Sequence, residues 1–207
     1  MNCALGPNMS ANSGNYNYYS SYSFISFSGF INENFANRNI KFGVREFGMN
    51  AICNGISLYG GLVPVDSTFM VFSDYMKPAL RLSALMGLPV INIFTHDSIG
   101  VGEDGPTHQP IEHLAALRSI PNFTVIRPCD TRETIAAWCY AIKNLSSPTA
   151  IVLSRQKLSL LKESGKGLFR GAYILRDSEK PQIILIASGS EVSLIYNAYD
   201  KLKEIGR

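Results

Sequence analysis

Two hydrophobic periods share the chain from Arg38 onward. Met49, Ile52, Cys53 and Ile56 fall on one helical face, so Arg45–Tyr59 reads as a helix stopped by Gly60-Gly61. Pro64 and Asp66 mark a turn. Thr68–Met86 reads as mostly helical, broken near Pro78 and ended by Gly87. Val90–Thr95 is a short, apolar, β-branched run suited to a buried parallel strand. A Gly-rich loop runs from His96 to Pro110, followed by a short helix at Ile111–Arg118 and a strand at Phe123–Ile126. Asp130 and Glu133 form a capping box for a helix over Thr131–Lys143, and Ala150–Leu153 is a further strand. Strands and helices alternating through short joins predict an α/β fold: three αβα layers around a mostly parallel sheet.

The two ends of the chain lie outside that rhythm. Residues 1–37 are rich in Asn and Ser, hold tyrosines at 16, 18, 19 and 22, and carry Glu33 as their only charge. No period of 2 or 3.6 holds there, and the segment reads as a loop-rich arm. Residues 38–156 form the α/β domain. Residues 157–180, with three glycines among basic residues at 157, 162, 166, 170 and 176, read as a linker or surface excursion. Residues 181–207 then open a second α/β domain, with a strand at Ile183–Ala187, a turn at Gly189 and a helix at Glu191–Ile205. Some 25 residues cannot bury a core alone, so this last unit is expected to be cut short.

Composition removes several classes of function. The 207 residues are 46% apolar but only 17% charged, and 19 basic against 16 acidic side chains leave +3. An excess so small and scattered gives no basic face for nucleic acid. The longest apolar runs, Pro89–Phe94 and Ile183–Ala187, are far too short to span a bilayer, and Met1–Leu5 does not open a signal peptide. Cys3, Cys53, Cys129 and Cys139 show no C-x-x-C spacing and read as unpaired thiols in a reducing, cytoplasmic setting.

The chemistry concentrates in Thr95–Pro110, T-H-D-S-I-G-V-G-E-D-G-P-T-H-Q-P. It leaves the C-terminal end of a predicted parallel strand, where open α/β sheets hold their ligands. Gly100–Gly105 matches G-x-G-x-x-G literally. Glu103 and Asp104 would oppose a pyrophosphate, however, and Pro106 and Pro110 prevent a helix from opening directly behind it. His96, Asp104 and His108 fit no zinc spacing. Histidines that merely cap loop carbonyls remain an alternative. The other is a polar loop offering imidazoles and a carboxylate to a hydroxylated substrate. Glu46 sits where a helix dipole favours an acid in any case. On spacing alone Phe69, Phe72 and Tyr75 suit a core stripe better than a cofactor box.

Gly43-Val44-Arg45-Glu46, Phe69–Pro78, Thr95–Pro110 and Leu153-Ser154-Arg155-Gln156 closely resemble the transketolase family. The resemblance runs from about Asn37 to Arg207. Its middle, pyrimidine-binding domain corresponds to residues 38–156. What the resemblance implies is thiamine diphosphate as cofactor, with Mg²⁺. The implied reaction moves a two-carbon glycolaldehyde unit from a ketose phosphate to an aldose phosphate, in the pentose phosphate pathway. Glu46 matches the glutamate that shares a proton with N1′ of the aminopyrimidine, and is expected to be catalytic. Phe69, Phe72 and Tyr75 match the aromatic pocket around that ring. His96 and Arg155 match contacts at the sugar-phosphate end, and Asp104 matches a contact to a substrate hydroxyl. His108 matches an imidazole that binds substrate at its carbonyl and assists catalysis there.

The sequence also departs from the family. Arg45-Glu46-Phe47-Gly48-Met49 stands where the family writes R-E-H-A-M. Pro64-Val65-Asp66-Ser67-Thr68-Phe69 stands for P-Y-G-G-T-F, with an expected effect on how the pocket backbone turns. Ala4–Met9 lacks an aspartate and a serine of the family's S-A-D-L-x-P-S-N stretch. The family's diphosphate-binding domain, with its G-D-G…N motif, is absent from these residues. The expectation is therefore a truncated product or one subunit of a split enzyme. Its partner would be a homodimer mate or a chain carrying the diphosphate domain, with sugar phosphates as substrates. A non-catalytic remnant or assembly partner is the alternative.

Overall fold

A computed structural model describes Ile40 and residues 42–205. The loop-rich arm at 1–37, the Ala4–Met9 departure and Cys3 lie outside the described residues. The described chain opens with helix α1 (Glu46–Tyr59), strand β1 (Val65–Phe69), a 3₁₀ turn at Met70–Phe72 and helix α2 (Ser73–Leu85). Strand β2 (Ile91–Thr95), helix α3 (His113–Arg118), strand β3 (Thr124–Ile126), helix α4 (Thr131–Lys143) and strand β4 (Thr149–Val152) follow. Helix α5 (Glu191–Glu204) comes last. All strand pairs are parallel, in the order β1-β2-β4-β3.

Both faces of the sheet are covered, which gives the expected three layers. Phe94, Ala150 and Val152 join Met49 and Cys53 of α1, Met76 and Leu80 of α2 and Leu117 of α3 in one cluster. Ile91, Ile93 and Ile151, alternating with them along the strands, pack on Ala137 and Ala141 of α4. A side-chain period of two thus delivers successive strand residues to opposite helix layers, and β2 is buried over four of its five positions.

Three expected elements differ. Asp66 does not mark a turn: it lies inside β1, and the stretch expected to be helical from Thr68 begins as strand and 3₁₀ turn. The buried positions of β1 are the polar Asp66 and Thr68, so its hydrophobic pattern carries no strand signal. Asn50 of α1 explains how that face is tolerated: its Nδ2 donates to Asp66 Oδ2 at 2.7 Å and lies 2.7 Å from Asn92 Oδ1 of β2.

Pro78 does not break α2, which runs through it. Burial of Met76, Ala79, Leu80, Ser83 and Ala84 offsets the single backbone hydrogen bond that proline removes. Ile183–Ala187 forms no strand among the described residues. Among the described residues no strand lies beside it to complete a ladder, and Ile184 and Ile186 are exposed.

Helix α4 begins at Thr131, as the capping pattern predicts. Asp130 Oδ1 accepts from Glu133 N at 3.0 Å, while Glu133 Oε2 accepts from Cys129 N at 2.8 Å rather than from the cap residue itself. Residues 157–180 pack against this helix start. Asp130 Oδ2 accepts from Leu161 N at 3.0 Å and from Ser164 Oγ, and Tyr173 Oη donates to Glu133 Oε1. Cys53, Cys129 and Cys139 are free thiols.

Candidate functional site at the C-terminal edge of the sheet

Parallel pairing sets the site. In the β1–β2 ladder Phe69 is the register partner of Thr95, so the residues leaving the two strands emerge side by side. His96 consequently stacks on Phe69, ring centroids 3.7 Å apart and planes inclined by 25°. The Met70–Phe72 turn then lifts Phe72 to 6.1 Å from Phe69, and Tyr75 in the first turn of α2 lies 6.1 Å from Phe72. His108 returns from the far end of the loop and meets Phe72 edge-on at 5.4 Å and Phe69 at 6.4 Å. Five expected site residues thus form one continuous aromatic wall. A helical period of three suggests a stripe on a single helix. The rings instead span a strand end, a 3₁₀ turn and a helix start, and Tyr75 is 65% exposed, not core.

The polar side chains gather around His96. Its backbone takes φ 59°, the left-handed region that a side chain rarely adopts. Burial lowers the imidazole pKa. Asp104 and Asp97 oppose that shift by attracting a proton, while Arg155 and His108 reinforce it. All four therefore lie within electrostatic reach of one ring. Nδ1 of His96 is 2.9 Å from Thr95 Oγ1, and Nδ1 of His108 is 3.0 Å from Thr107 Oγ1. Arg155 leaves β4, the neighbour of β2, and its guanidinium lies against Gly102. A Cβ at Gly102 would stand 2.8 Å from Nη1. Gly102, at φ 90°, therefore leaves the space that the guanidinium occupies.

Glu46 reaches the same end of the sheet by a different route. α1 precedes β1 through the short connection 60–64 and so runs antiparallel to it. Asn50 touches Asp66, and Glu46 lies one helical turn further on, about 5.4 Å. Two strand residues rise by about 6.6 Å, so regular geometry would set Glu46 level with Thr68, the residue before Phe69. Glu46 is only 4% exposed, and among the described residues no hydrogen bond or ion pair takes up its carboxylate. A nearly buried acid without a partner is costly, and a ligand that brings a donor relieves the cost. The wall of rings supplies the complementary feature, an open aromatic face for a flat heterocycle. Both fit an aminopyrimidine.

The departures are less disruptive than their residue types imply. Phe47 is half exposed on α1, and a Cβ at Gly48 would meet only Arg45 Cβ at an ordinary 3.9 Å. Asp66 and Ser67 sit in β1, so no pocket turn depends on them.

Sequence patterns missed three structural partners of the site. His113 at the start of α3 is buried, with Nε2 3.1 Å from Asp74 Oδ2 beside Tyr75. Gln156 packs on the 3₁₀ turn at Ile99–Val101, where a Cβ at Gly100 would stand 2.6 Å from Oε1. Arg127 holds Asp97, the residue after His96, at 2.6 Å. All three pairs join residues far apart in sequence, and no spacing rule connects them.

Residues 6–159 match the family model for the transketolase pyrimidine-binding domain, and residues 171–207 match that for the transketolase-like C-terminal domain. The chain belongs to the transketolase family. The transketolase of Geobacillus stearothermophilus is 51% identical over 183 residues, covering 86% of this chain and 27% of that protein. Among solved structures, the transketolase of Campylobacter jejuni superposes with a TM-score of 0.80 at 49% identity, over 83% of this chain and 27% of that one. A split-gene transketolase, solved as an inactive β4 tetramer, superposes with a TM-score of 0.69 at 27% identity. That match covers 82% of this chain and 54% of the other. The chain therefore spans about a quarter of the length of the curated transketolases it matches. Among the described residues no helix is long and apolar enough to cross a membrane.

Proposed function

We propose that this chain supplies the pyrimidine side of a thiamine diphosphate site in a cytoplasmic transketolase. The reaction is transfer of a two-carbon glycolaldehyde unit between sugar phosphates of the pentose phosphate pathway. The observation that carries the reading is the open wall of Phe69, Phe72 and Tyr75, with Glu46, nearly buried and without a hydrogen-bond partner among the described residues, on the helix that precedes β1. Residues 38–156 are the pyrimidine-binding domain, 157–180 its connection, and 181–207 the start of the C-terminal domain.

When bound, thiamine diphosphate supplies the nucleophilic carbon that ketol transfer requires. Phe69, Phe72 and Tyr75 hold the pyrimidine by offset stacking, worth about 0.5–1.5 kcal/mol for each ring pair beyond its buried area. Glu46 holds a proton against N1′ of that ring. Its seclusion from water is useful there, because proton exchange with solvent would uncouple the pair. His108, edge-on to the wall, donates to the substrate carbonyl oxygen as negative charge develops on it. Asp104 accepts from a substrate hydroxyl. His96 and Arg155 bind the phosphate, the guanidinium through its planar fork.

The diphosphate and Mg²⁺ belong to a domain outside these residues, brought by a homodimer mate or by a separate chain. The split-gene neighbour supports a divided enzyme of this kind.

Hydrogen–deuterium exchange at C2 of thiamine diphosphate tests the reading. The 207-residue chain is combined with a diphosphate-binding domain and Mg²⁺. The parent accelerates exchange, and Glu46→Gln slows it by about 10²-fold with little loss of cofactor affinity. Equal exchange rates for parent and variant would remove Glu46 from the chemistry.

A further inference from the structure

Arg127, the first residue after β3, makes more side-chain hydrogen bonds than any other arginine among the described residues, and they join the loop after β2 to the start of α5. Its side chain is 8% exposed. Nε donates to Asp97 Oδ2 at 2.6 Å. Nη1 donates to Ser188 O at 2.6 Å and to the Glu191 carboxylate, and Nη2 to Ser190 Oγ at 3.2 Å. The Arg127 carbonyl accepts from Gly189 N at 3.1 Å. Gly189 has φ 61°, and a Cβ there would stand 2.6 Å from Arg127 Nε. The turn that opens α5 is thus moulded on the guanidinium.

The other end of this contact lies beside the site. The Asp97 side chain is 1% exposed, and its second oxygen, Oδ1, is buried without a partner. Arg127 is therefore its only side-chain partner among the described residues. Asp97 follows His96 directly, and His96 holds both a left-handed backbone and a close stack on Phe69. A buried carboxylate deprived of its cation does not stay in place. The backbone strain at His96 persists only while its surroundings hold it there.

We propose that Arg127 is a positioning residue that holds His96 against Phe69 through Asp97, and ties that placement to docking of the Ser188–Glu191 turn. Its importance for turnover rests on the reading of His96 as a phosphate contact. The chemistry requires arginine: only a planar fork with five donors reaches Asp97, Ser188, Ser190 and Glu191 together.

The test is an NMR spectrum of the 207-residue chain with isotope-labelled histidine. Stacking on Phe69 shields the His96 ring protons and moves them upfield. In Arg127→Lys the His96 signal moves downfield. In Glu191→Ala, which removes a half-exposed carboxylate, it moves in the same direction by a smaller step. An unmoved His96 signal in both variants, with amide exchange in α5 about tenfold faster, would make Arg127 a tie for α5 alone and overturn the proposal. If Arg127→Lys does not fold, Glu191→Ala decides by the same signal. A separate titration of the reconstituted parent with a ketose phosphate addresses the functional reading. No response at His96 or Arg155 there would count against that reading and leave the positioning result standing.

Discussion

Phe69 and His96 stack at 3.7 Å because their strands are parallel and in register: Phe69 pairs with Thr95, so His96 is the next residue to leave the sheet beside it. One backbone ladder therefore joins the aromatic wall to the polar loop. Substitutions in the wall and the loop have separable consequences.

Tyr75 is largely exposed at the outer end of the wall. Tyr75→Ala should leave stability within about 0.5 kcal/mol of the parent. It should weaken pyrimidine binding by about 1 kcal/mol, the value of one aromatic pair. Urea denaturation and cofactor titration of the reconstituted complex measure the two effects. A large loss of stability would show that Tyr75 is structural.

Gly102→Ala acts on Arg155 from behind. The backbone at φ 90° is strained for alanine, and the new Cβ would stand 2.8 Å from Nη1. The expected cost is about 1 kcal/mol of stability, with a displaced guanidinium and weaker retention of sugar phosphate. Raised KM for a phosphorylated ketose, with KM for an unphosphorylated ketose unchanged, is the signature.

Asp66 makes stability fall as pH rises. Burial pushes its pKa up to about 7, against the hydrogen bonds from Asn50 and Cys53. The native state therefore retains a proton that the unfolded chain releases near pH 4. The associated stability is fully present below about pH 4 and is lost as pH rises to about 7, at about 1.4 kcal/mol per pH unit at most. Asp66→Asn keeps an acceptor for Asn50 without the titration. Denaturation curves between pH 4.5 and 7.5 should show a slope for this group in the parent that the variant lacks.

Asp130 behaves in the opposite sense. Burial alone would raise its pKa, but hydrogen bonds from Ser164, Glu133, Leu161 and Arg132 outweigh it and hold the carboxyl below its ordinary value. Its stabilisation is present above the ordinary aspartate range and is lost as pH falls through the lowered value. Asp130→Ala removes the α4 cap and the anchor of residues 161–164 together, and should cost about 2 kcal/mol. Thermal melts of parent and variant at neutral pH check this. A loss below about 0.5 kcal/mol would show that the cap is dispensable.

Local signals are enough for the helices that mark their own ends. Asp130 and Glu133 announce α4 because capping is local, and Gly60 ends α1 because only glycine readily adopts its φ of 88°. The sequence also specifies β2, whose apolar run needs burial on both faces, and the motif residues of the loop, which resemblance alone singles out. Tertiary structure decided β1. Its buried face is polar, and Asp66 is tolerated there with the help of Asn50, 16 residues away, which donates to it. It decided too that Phe69, Phe72 and Tyr75 form a wall and not a helical stripe, and that Ile183–Ala187 joins no ladder among the described residues. The link between Arg127 and Asp97 spans 30 residues, and that from Arg127 to Glu191 spans 64. Periodicity reports only what a residue does within its own element. Contacts of this kind exist only once parallel strands have brought their ends together.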